Sequence, residues 1–250
     1  MTKNLSTISL LGYSIYSGNL SDCVNGNKTL INTVNQYSYC IAESDPVFKK
    51  ALQESDVLLP DGTGITAAMR LLNNRQIKKI AGADIHRFLL EDLNKKGGKC
   101  FYLGSSKNTL DKISKNILKD FPNIRLKTFS PPYKDKFSEV DNQQMIDELN
   151  SFMPDVLFIG MTAPKQEKWA YEHKNRLNAE IICSIGAVFD FYAGTITRPN
   201  KIWISLGLEW FARLLKEPKR MWKRYLYYGP IFIKLILLEK VRNVFKLKFF

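Results

Sequence analysis

Metal and thiol chemistry has little to work with in this sequence. Its 250 residues include two histidines, His86 and His173, and four cysteines, Cys23, Cys40, Cys100 and Cys183. The cysteines are widely separated and form no C-x-x-C pair, which argues against a zinc site or a disulfide framework and fits a reducing cytoplasm. Two histidines do not suffice for a His-rich metal site. No D-x-D occurs anywhere, so the closely spaced oxygen ligands that hold a nucleotide diphosphate through a divalent cation are missing. A G-x-S-x-G nucleophile elbow is also missing, and no Ser/His/Asp set stands out. Residues 1–9 are polar and lack a signal-peptide core. No stretch supplies the roughly 20 apolar residues of a membrane-spanning helix. The nearest, residues 231–238, is interrupted by Lys234 and followed by Glu239, Lys240 and Arg242. No metal and no organic cofactor is expected.

Apolar residues make up 45% of the chain, ordinary for a soluble globular protein. The length suits one large domain, or one domain with an appendage. The net charge of +13 is uneven. Residues 198–250 hold 13 Lys/Arg against Glu209, Glu217 and Glu239, a balance of +10. Residues 1–197 hold 24 basic and 21 acidic side chains, a balance of +3. A nearly neutral body with a basic tail points to a polyanionic partner, either nucleic acid or an anionic membrane surface.

Strand-like runs at 8–11, 29–34, 56–59, 99–103, 124–129, 155–160 and 180–185 are interleaved with helical runs at 46–54, 65–72, 84–95, 108–120, 142–152 and 165–176. Such alternation predicts βαβ units and a mostly parallel sheet. The fold expected is α/β: a Rossmann-like sheet with flanking helices over residues 1–194, then a basic, aromatic-rich helical appendage over 195–250. The pattern changes near Gly194-Thr195-Ile196-Thr197-Arg198-Pro199. Towards the C-terminus, Ile231, Phe232, Leu235, Ile236 and Phe245 supply apolar bulk beside Lys234, Lys240, Arg242, Lys246 and Lys248. That composition suits a helix lying in an anionic lipid surface; a terminal helix docked on the protein's own core is the alternative.

Four clusters fall at expected strand ends, where open α/β sheets bind ligands. They are Thr33-Val34-Asn35, Asp61-Gly62-Thr63-Gly64, Gly160 through Glu167, and Gly186 through Asp190. Asp61 is either a general base or a turn and cap residue. In the third cluster Gly160 permits a tight strand exit, and Pro164 is expected at the first helical position. Lys165 and Gln166 then stand in a first turn suited to an anion, or simply in a solvated one. Gly104-Ser105-Ser106 is a weaker phosphate or ribose loop, neither a P-loop nor G-x-G-x-x-G. Arg213, Arg220 and Arg224, with Lys223, supply cations; the three arginines share a helical face if the helix runs through Glu217-Pro218.

Taken together, these stretches resemble the WecG/TagA/CpsF glycosyltransferases, family 26. The matching segments are Thr33-Val34-Asn35, Leu59-Pro60-Asp61-Gly62-Thr63-Gly64-Ile65, Ala81-Gly82-Ala83-Asp84, Tyr102-Leu103-Gly104, Ser130-Pro131-Pro132-Tyr133, Pro164-Lys165-Gln166-Glu167, Gly186-Ala187-Val188-Phe189-Asp190 and Gly207-Leu208-Glu209-Trp210 onwards to Arg220. The resemblance implies inverting, metal-independent transfer of an N-acetylmannosamine-type sugar from a UDP-sugar. The implied acceptor is a polyprenyl-diphosphate-linked N-acetylglucosamine, in the synthesis of a surface polymer such as teichoic acid or capsule. It makes Asp61 the base, places Thr33 and Gln166 at the site, and sets Arg213, Arg220 and Lys223 against the diphosphate. Asn35, Gly62, Gly104, Gly160, Lys165, Gly186, Asp190 and Arg224 complete the expected substrate-binding set. Lys79 and Lys223 stand where the family often has arginine, and lysine lacks the bidentate fork.

The expected location is the inner face of the bacterial membrane, held there through residues 213–250, without nucleic acid and with an oligomer possible. Another UDP-hexose or a UDP-uronic acid is the nearer alternative. A non-catalytic basic module that binds lipid or nucleic acid is the remoter one.

Overall fold

The computed structural model describes residues 5–24, 28–196, 203 and 207–248. Two strands, β1 (Thr7–Leu10) and β2 (Tyr13–Tyr16), open the chain as an antiparallel hairpin with Leu10 opposite Tyr13. Leu11 and Gly12 make the turn at φ 52° and 83°, the left-handed pair that matches strand twist. The strand expected over 8–11 therefore ends at Leu10. β2 is an element that the periodicity reading does not contain.

Six parallel strands form the main sheet: β3 (Thr29–Val34), β4 (Val57–Pro60), β5 (Lys99–Gly104), β6 (Arg125–Phe129), β7 (Val156–Gly160) and β8 (Ile181–Ser184), in the spatial order β4-β3-β8-β7-β5-β6. β4, β7 and β8 are buried along their whole length. Covered on both faces, they read as unbroken apolar runs, which is why these strands are legible in the sequence. The helices of the body are α1 (Gln36–Ala42), α2 (Pro46–Gln53), α3 (Thr63–Asn73), α4 (Gly82–Lys96), α5 (Lys107–Asp120), α6 (Glu139–Phe152), α7 (Lys165–His173) and α8 (Val188–Tyr192).

On one face of the sheet, Leu89 and Leu90 of α4, Ile113 of α5 and Phe189 of α8 pack with Ile31, Leu59, Tyr102 and Phe158. The other face has two cores. One joins α1, α2 and α3 to Val34 and Leu58; the other joins α6 and α7 to Leu30, Phe101 and Leu157. His86 belongs to the first core: it bonds Tyr102 Oη at 2.6 Å, and burial pushes its pKa down to about 3, so it stays neutral.

In the tail, α9 (Glu209–Lys216) is followed by α10 (Pro218–Trp222), a π turn (Lys223–Tyr227) and α11 (Tyr228–Lys248). Glu217 leaves helical geometry at φ −129° and ψ 58°. A helix cannot continue into Pro218, whose ring excludes the preceding turn. The single helical face expected for Arg213, Arg220 and Arg224 is therefore broken. Pro230 has a second effect: its ring crowds the carbonyl four residues back, and the helix is widened just before it, with Tyr228 N–H donating to Lys223 O.

α11 docks one side on the protein's own core and leaves another apolar side open. Phe232 and Ile236 are buried against Tyr39, Leu58 and Met69, with Tyr228, Ile231 and Leu235 packed beside them. Ile233, Leu237, Leu238, Val241, Val244 and Phe245 remain exposed. Four of the five side chains expected to face lipid thus face the protein, and the fifth, Phe245, faces outward beside apolar side chains outside that expected set. Among the described residues, no helix is long and apolar enough to cross a membrane. The change of pattern at Thr197-Arg198-Pro199, used to divide body from appendage, lies outside the described residues, as do the side chains of Lys246 and Lys248.

Candidate active site

β3 and β4 end side by side, and Asp61 follows the last residue of β4. Its backbone N–H donates to Val34 O at 2.9 Å, which carries the parallel pairing one residue further and fixes the Asp61 Cα at the sheet edge. Gly62, at φ 103°, turns the chain into α3, a conformation L side chains rarely adopt. A Cβ on Gly62 or Gly64 would stand 3.3 or 3.1 Å from Gln36 Oε1. The two glycines thus let the start of α3 press on the start of α1. Thr33 is the one partly open position of β3 and pairs in register with Leu59. Asn35 caps α1: its Oδ1 accepts from the N–H groups of Tyr37 and Ser38 at 3.1 and 3.0 Å, and Ser38 Oγ accepts from the Asn35 N–H at 2.8 Å.

Thr33, Asn35, Asp61 and Gly62 line one cavity that opens to solvent. Tyr37, Lys79, Ile185, Val188 and Phe191 add to it from the body. The appendage closes it with Glu209, Trp210, Arg213, Arg224 and Tyr225. Ile80 N–H donates to Pro60 O at 2.9 Å, which lays Lys79 along the end of β4. Lys79 Nζ then donates to Glu209 Oε2 at 2.9 Å, tying body to appendage. Arg224 lies over the Tyr37 ring at 4.7 Å and Arg213 over Phe191 at 5.3 Å.

Two features give this cavity chemistry. Asp61 has no ion pair or side-chain hydrogen bond among the described residues; its charged neighbours act on it through space. Burial pushes its carboxyl from 3.8 up to about 6; Lys79 and Arg213 pull it down, while Glu209 and Asp84 push it further up. A carboxylate poised near neutral pH and free of partners is matched to proton abstraction. Secondly, Arg213 Nε and Nη2 are buried without hydrogen-bond partners among the described residues. Guanidinium N–H groups left unpaired in this way are costly, and they are donors for an incoming acceptor such as a phosphate oxygen.

The other residues expected at the site lie outside the cavity, and most have packing duties. A Cβ on Gly104, at φ 117°, would stand 2.5 Å from Gly160 O, and one on Gly160 would stand 2.4 Å from the Phe189 ring. These glycines allow β5, β7 and α8 to close on one another. Gly186, at φ 46°, sits against Gln166. Gln166 is buried: its Oε1 accepts from Met161 N–H at 3.1 Å, and its Nε2 donates to Glu167 Oε1 at 2.8 Å. Lys165 Nζ donates to the Lys134 carbonyl and lies 3.6 Å over the Phe137 ring. The first turn of α7 is thus occupied by the protein itself, and Pro164 is the cap residue, with Lys165 opening the helix. Asp190 accepts from Thr195 through its backbone carbonyl and its carboxylate. Arg220 is paired with Glu217 at 3.0 Å, and Lys223 is exposed. Trp210, Tyr225, Tyr37 and Phe191 are lining residues that the motif reading does not single out. Trp210 stands inside a quoted segment, and Tyr225 is flanked by the flagged Arg224.

A parallel sheet whose strand ends open on a cavity lined by a carboxylate and cationic side chains has the layout of an α/β enzyme with its ligand site beyond the strand ends. The model of the glycosyl transferase WecG/TagA/CpsF family matches residues 8–245, and the chain belongs to that family; it is a glycosyltransferase. A Bacillus subtilis (strain 168) relative named N-acetylglucosaminyldiphosphoundecaprenol N-acetyl-beta-D-mannosaminyltransferase is 31% identical over 216 residues, 86% of this chain and 82% of its own. A protein of the same name from Bacillus spizizenii is 28% identical over 74% of this chain and 70% of its own. Another, from Staphylococcus aureus (strain MW2), is 25% identical over 89% and 84%.

Proposed function

We propose that this glycosyltransferase moves an N-acetylmannosamine-type sugar from a UDP-sugar to a polyprenyl-diphosphate-linked N-acetylglucosamine, with inversion and without a metal ion. The observation that carries the reading is the placement, in one cavity, of Asp61 and Arg213, whose carboxylate and whose Nε and Nη2 have no hydrogen-bond partner among the described residues. Asp61 takes the proton of the acceptor hydroxyl as that oxygen attacks the anomeric carbon. Proton removal by a positioned base accounts for roughly 10²–10⁴ in rate. UDP departs from the opposite face of the sugar, and Arg213, with Arg224 beside it, balances the charge that develops on the diphosphate. Thr33, next to the base on the neighbouring strand, orients the attacking hydroxyl.

The relatives' names specify a lipid-linked acceptor, and the tail suits that chemistry. α11 exposes an apolar side with Lys234 and Arg242 on the same helix, and each cation near an anionic surface contributes about 1 kcal/mol. We place the enzyme on the inner face of the cell membrane. The test is a panel of UDP-sugars with a short-chain lipid-linked N-acetylglucosamine, run with and without chelator and read by product stereochemistry. Transfer of N-acetylmannosamine with inversion, undiminished by chelator, is expected. A retained anomeric configuration, or a Asp61→Asn variant with near-normal turnover, would remove the base assignment.

A further inference from the structure

We propose that Glu209 is a positioning residue for the base: it holds the Lys79 ammonium away from Asp61, so that the carboxylate stays free to take a proton. The inference rests on the reading of Asp61 as the base. Lys79, Glu209 and Asp61 line the same cavity. Lys79 is bonded to Glu209 at 2.9 Å in a largely buried pair, the side chains 23% and 18% exposed. Asp61, another carboxylate facing Lys79, has no such partner among the described residues. A base in direct contact with an ammonium is a poor base, because an opposite charge within about 4–6 Å lowers a carboxyl pKa by roughly 1–3. Glu209 takes up the cation that would otherwise quench Asp61, and its own charge raises the proton affinity of Asp61.

The other groups facing Asp61 are held in place, although Arg213 keeps Nε and Nη2 without an acceptor among the described residues. Asp84, on α4, accepts from the Ala81 N–H at 2.8 Å. Arg213 is stacked on Phe191 and Arg224 on Tyr37. Tyr225, on the π turn, is held neutral, its pKa raised by burial. Lys79 is the cation that loss of the Glu209 carboxylate would release. Because Glu209 stands at the start of α9, its hold on Lys79 also makes the strength of the base depend on docking of the appendage.

The experiment is the pH dependence of kcat/KM for the full chain, with UDP-sugar and a short-chain lipid-linked acceptor. Glu209→Gln, Lys79→Met, the double variant and Asp61→Asn are compared with the parent. In Glu209→Gln the freed Lys79 moves onto Asp61. The acid limb is then expected to fall by about one pH unit or more, and the plateau rate by about threefold or more. Lys79→Met is expected to move the limb upward. Adding Glu209→Gln to Lys79→Met is expected to cost less than twofold, because no cation remains to be released. An unmoved limb in Glu209→Gln, or an equal cost of that change in both backgrounds, overturns the proposal. Glu209→Asp, which keeps the charge but shortens the reach, is expected to show a smaller shift of the same sign and serves if Glu209→Gln does not fold. Near-normal turnover in Asp61→Asn would sink the base reading itself. An inactive Asp61→Asn with an unmoved limb in Glu209→Gln would sink only the role of Glu209.

Discussion

Replacing Asp61 with Asn is expected to do two opposite things: abolish most turnover and stabilise the fold at neutral pH. The second follows from the folded-state pKa of about 6 against an ordinary 3.8. Below pH 3.8 the carboxyl is protonated in both folded and unfolded chains, so Asp and Asn are equivalent. As pH rises from 3.8 through 6 the unfolded chain gives up its proton first, and the native state of the parent loses stability. Above pH 6 the loss is complete and constant. Two pKa units correspond to about 3 kcal/mol. Asp61 keeps some contact with solvent through the cavity mouth, so about 1–2 kcal/mol is the better figure. For a chain of this length, each kcal/mol moves Tm by about 2–4 °C. The assay is thermal unfolding of parent and Asp61→Asn at matched ionic strength from pH 3.5 to 8. The difference in Tm should be near zero at the acid end, open between pH 4 and 6, and then stay flat at several degrees. A difference that is independent of pH, or that favours the parent at pH 8, would refute the claim that burial strains this carboxylate.

Arg213→Ala should lower kcat by about 10²–10³ while leaving Tm within a few degrees, since its Nε and Nη2 have no hydrogen-bond partner among the described residues; steady-state kinetics decides. Gly160→Ala should cost about 1–3 kcal/mol in urea unfolding, because its Cβ would meet the Phe189 ring at 2.4 Å inside a filled core. Phe232→Ala and Leu237→Asp should separate the two sides of α11. The first removes a buried ring and costs about 3–5 kcal/mol; the second leaves Tm unchanged but weakens sedimentation with anionic vesicles. Glu167→Gln should gain stability over the parent as pH rises from 4.5 to 7 and hold that gain above, because burial pushes this carboxyl to about 7.

Strands were the legible part of this chain, and the reason is physical. A strand covered on both faces, such as 156–160, has to be apolar throughout, and no other element of that length reads the same way. β2 escaped because its turn is made by Leu11, a residue seldom found at positive φ. α1 escaped because it is set by a local cap, Asn35 with Ser38, and not by a long apolar stripe. Asp61, Thr33 and Asn35 could be placed together because the ends of parallel strands converge by topology alone. Lys165, Gln166 and Gly160 carried the same kind of signal for a different reason: glycine and glutamine at a strand end also serve close packing, and sequence cannot distinguish a buried amide bonded to Met161 from one aimed at a ligand. Glu209 could be paired with Lys79 only by the fold, since 130 residues separate them.

The short helices of the appendage have a further consequence. Trp210, Arg213 and Arg224 face the cavity, while Phe211, Leu215, Trp222 and Leu226 on the same segments are exposed. If that outer side rests on a bilayer, the acceptor reaches the catalytic carboxylate by lateral diffusion in two dimensions, without passing through bulk water. The turnover of such an enzyme follows the number of acceptor molecules per unit of membrane area. Adding inert lipid to vesicles of fixed total acceptor would then slow it, although no bulk concentration has changed.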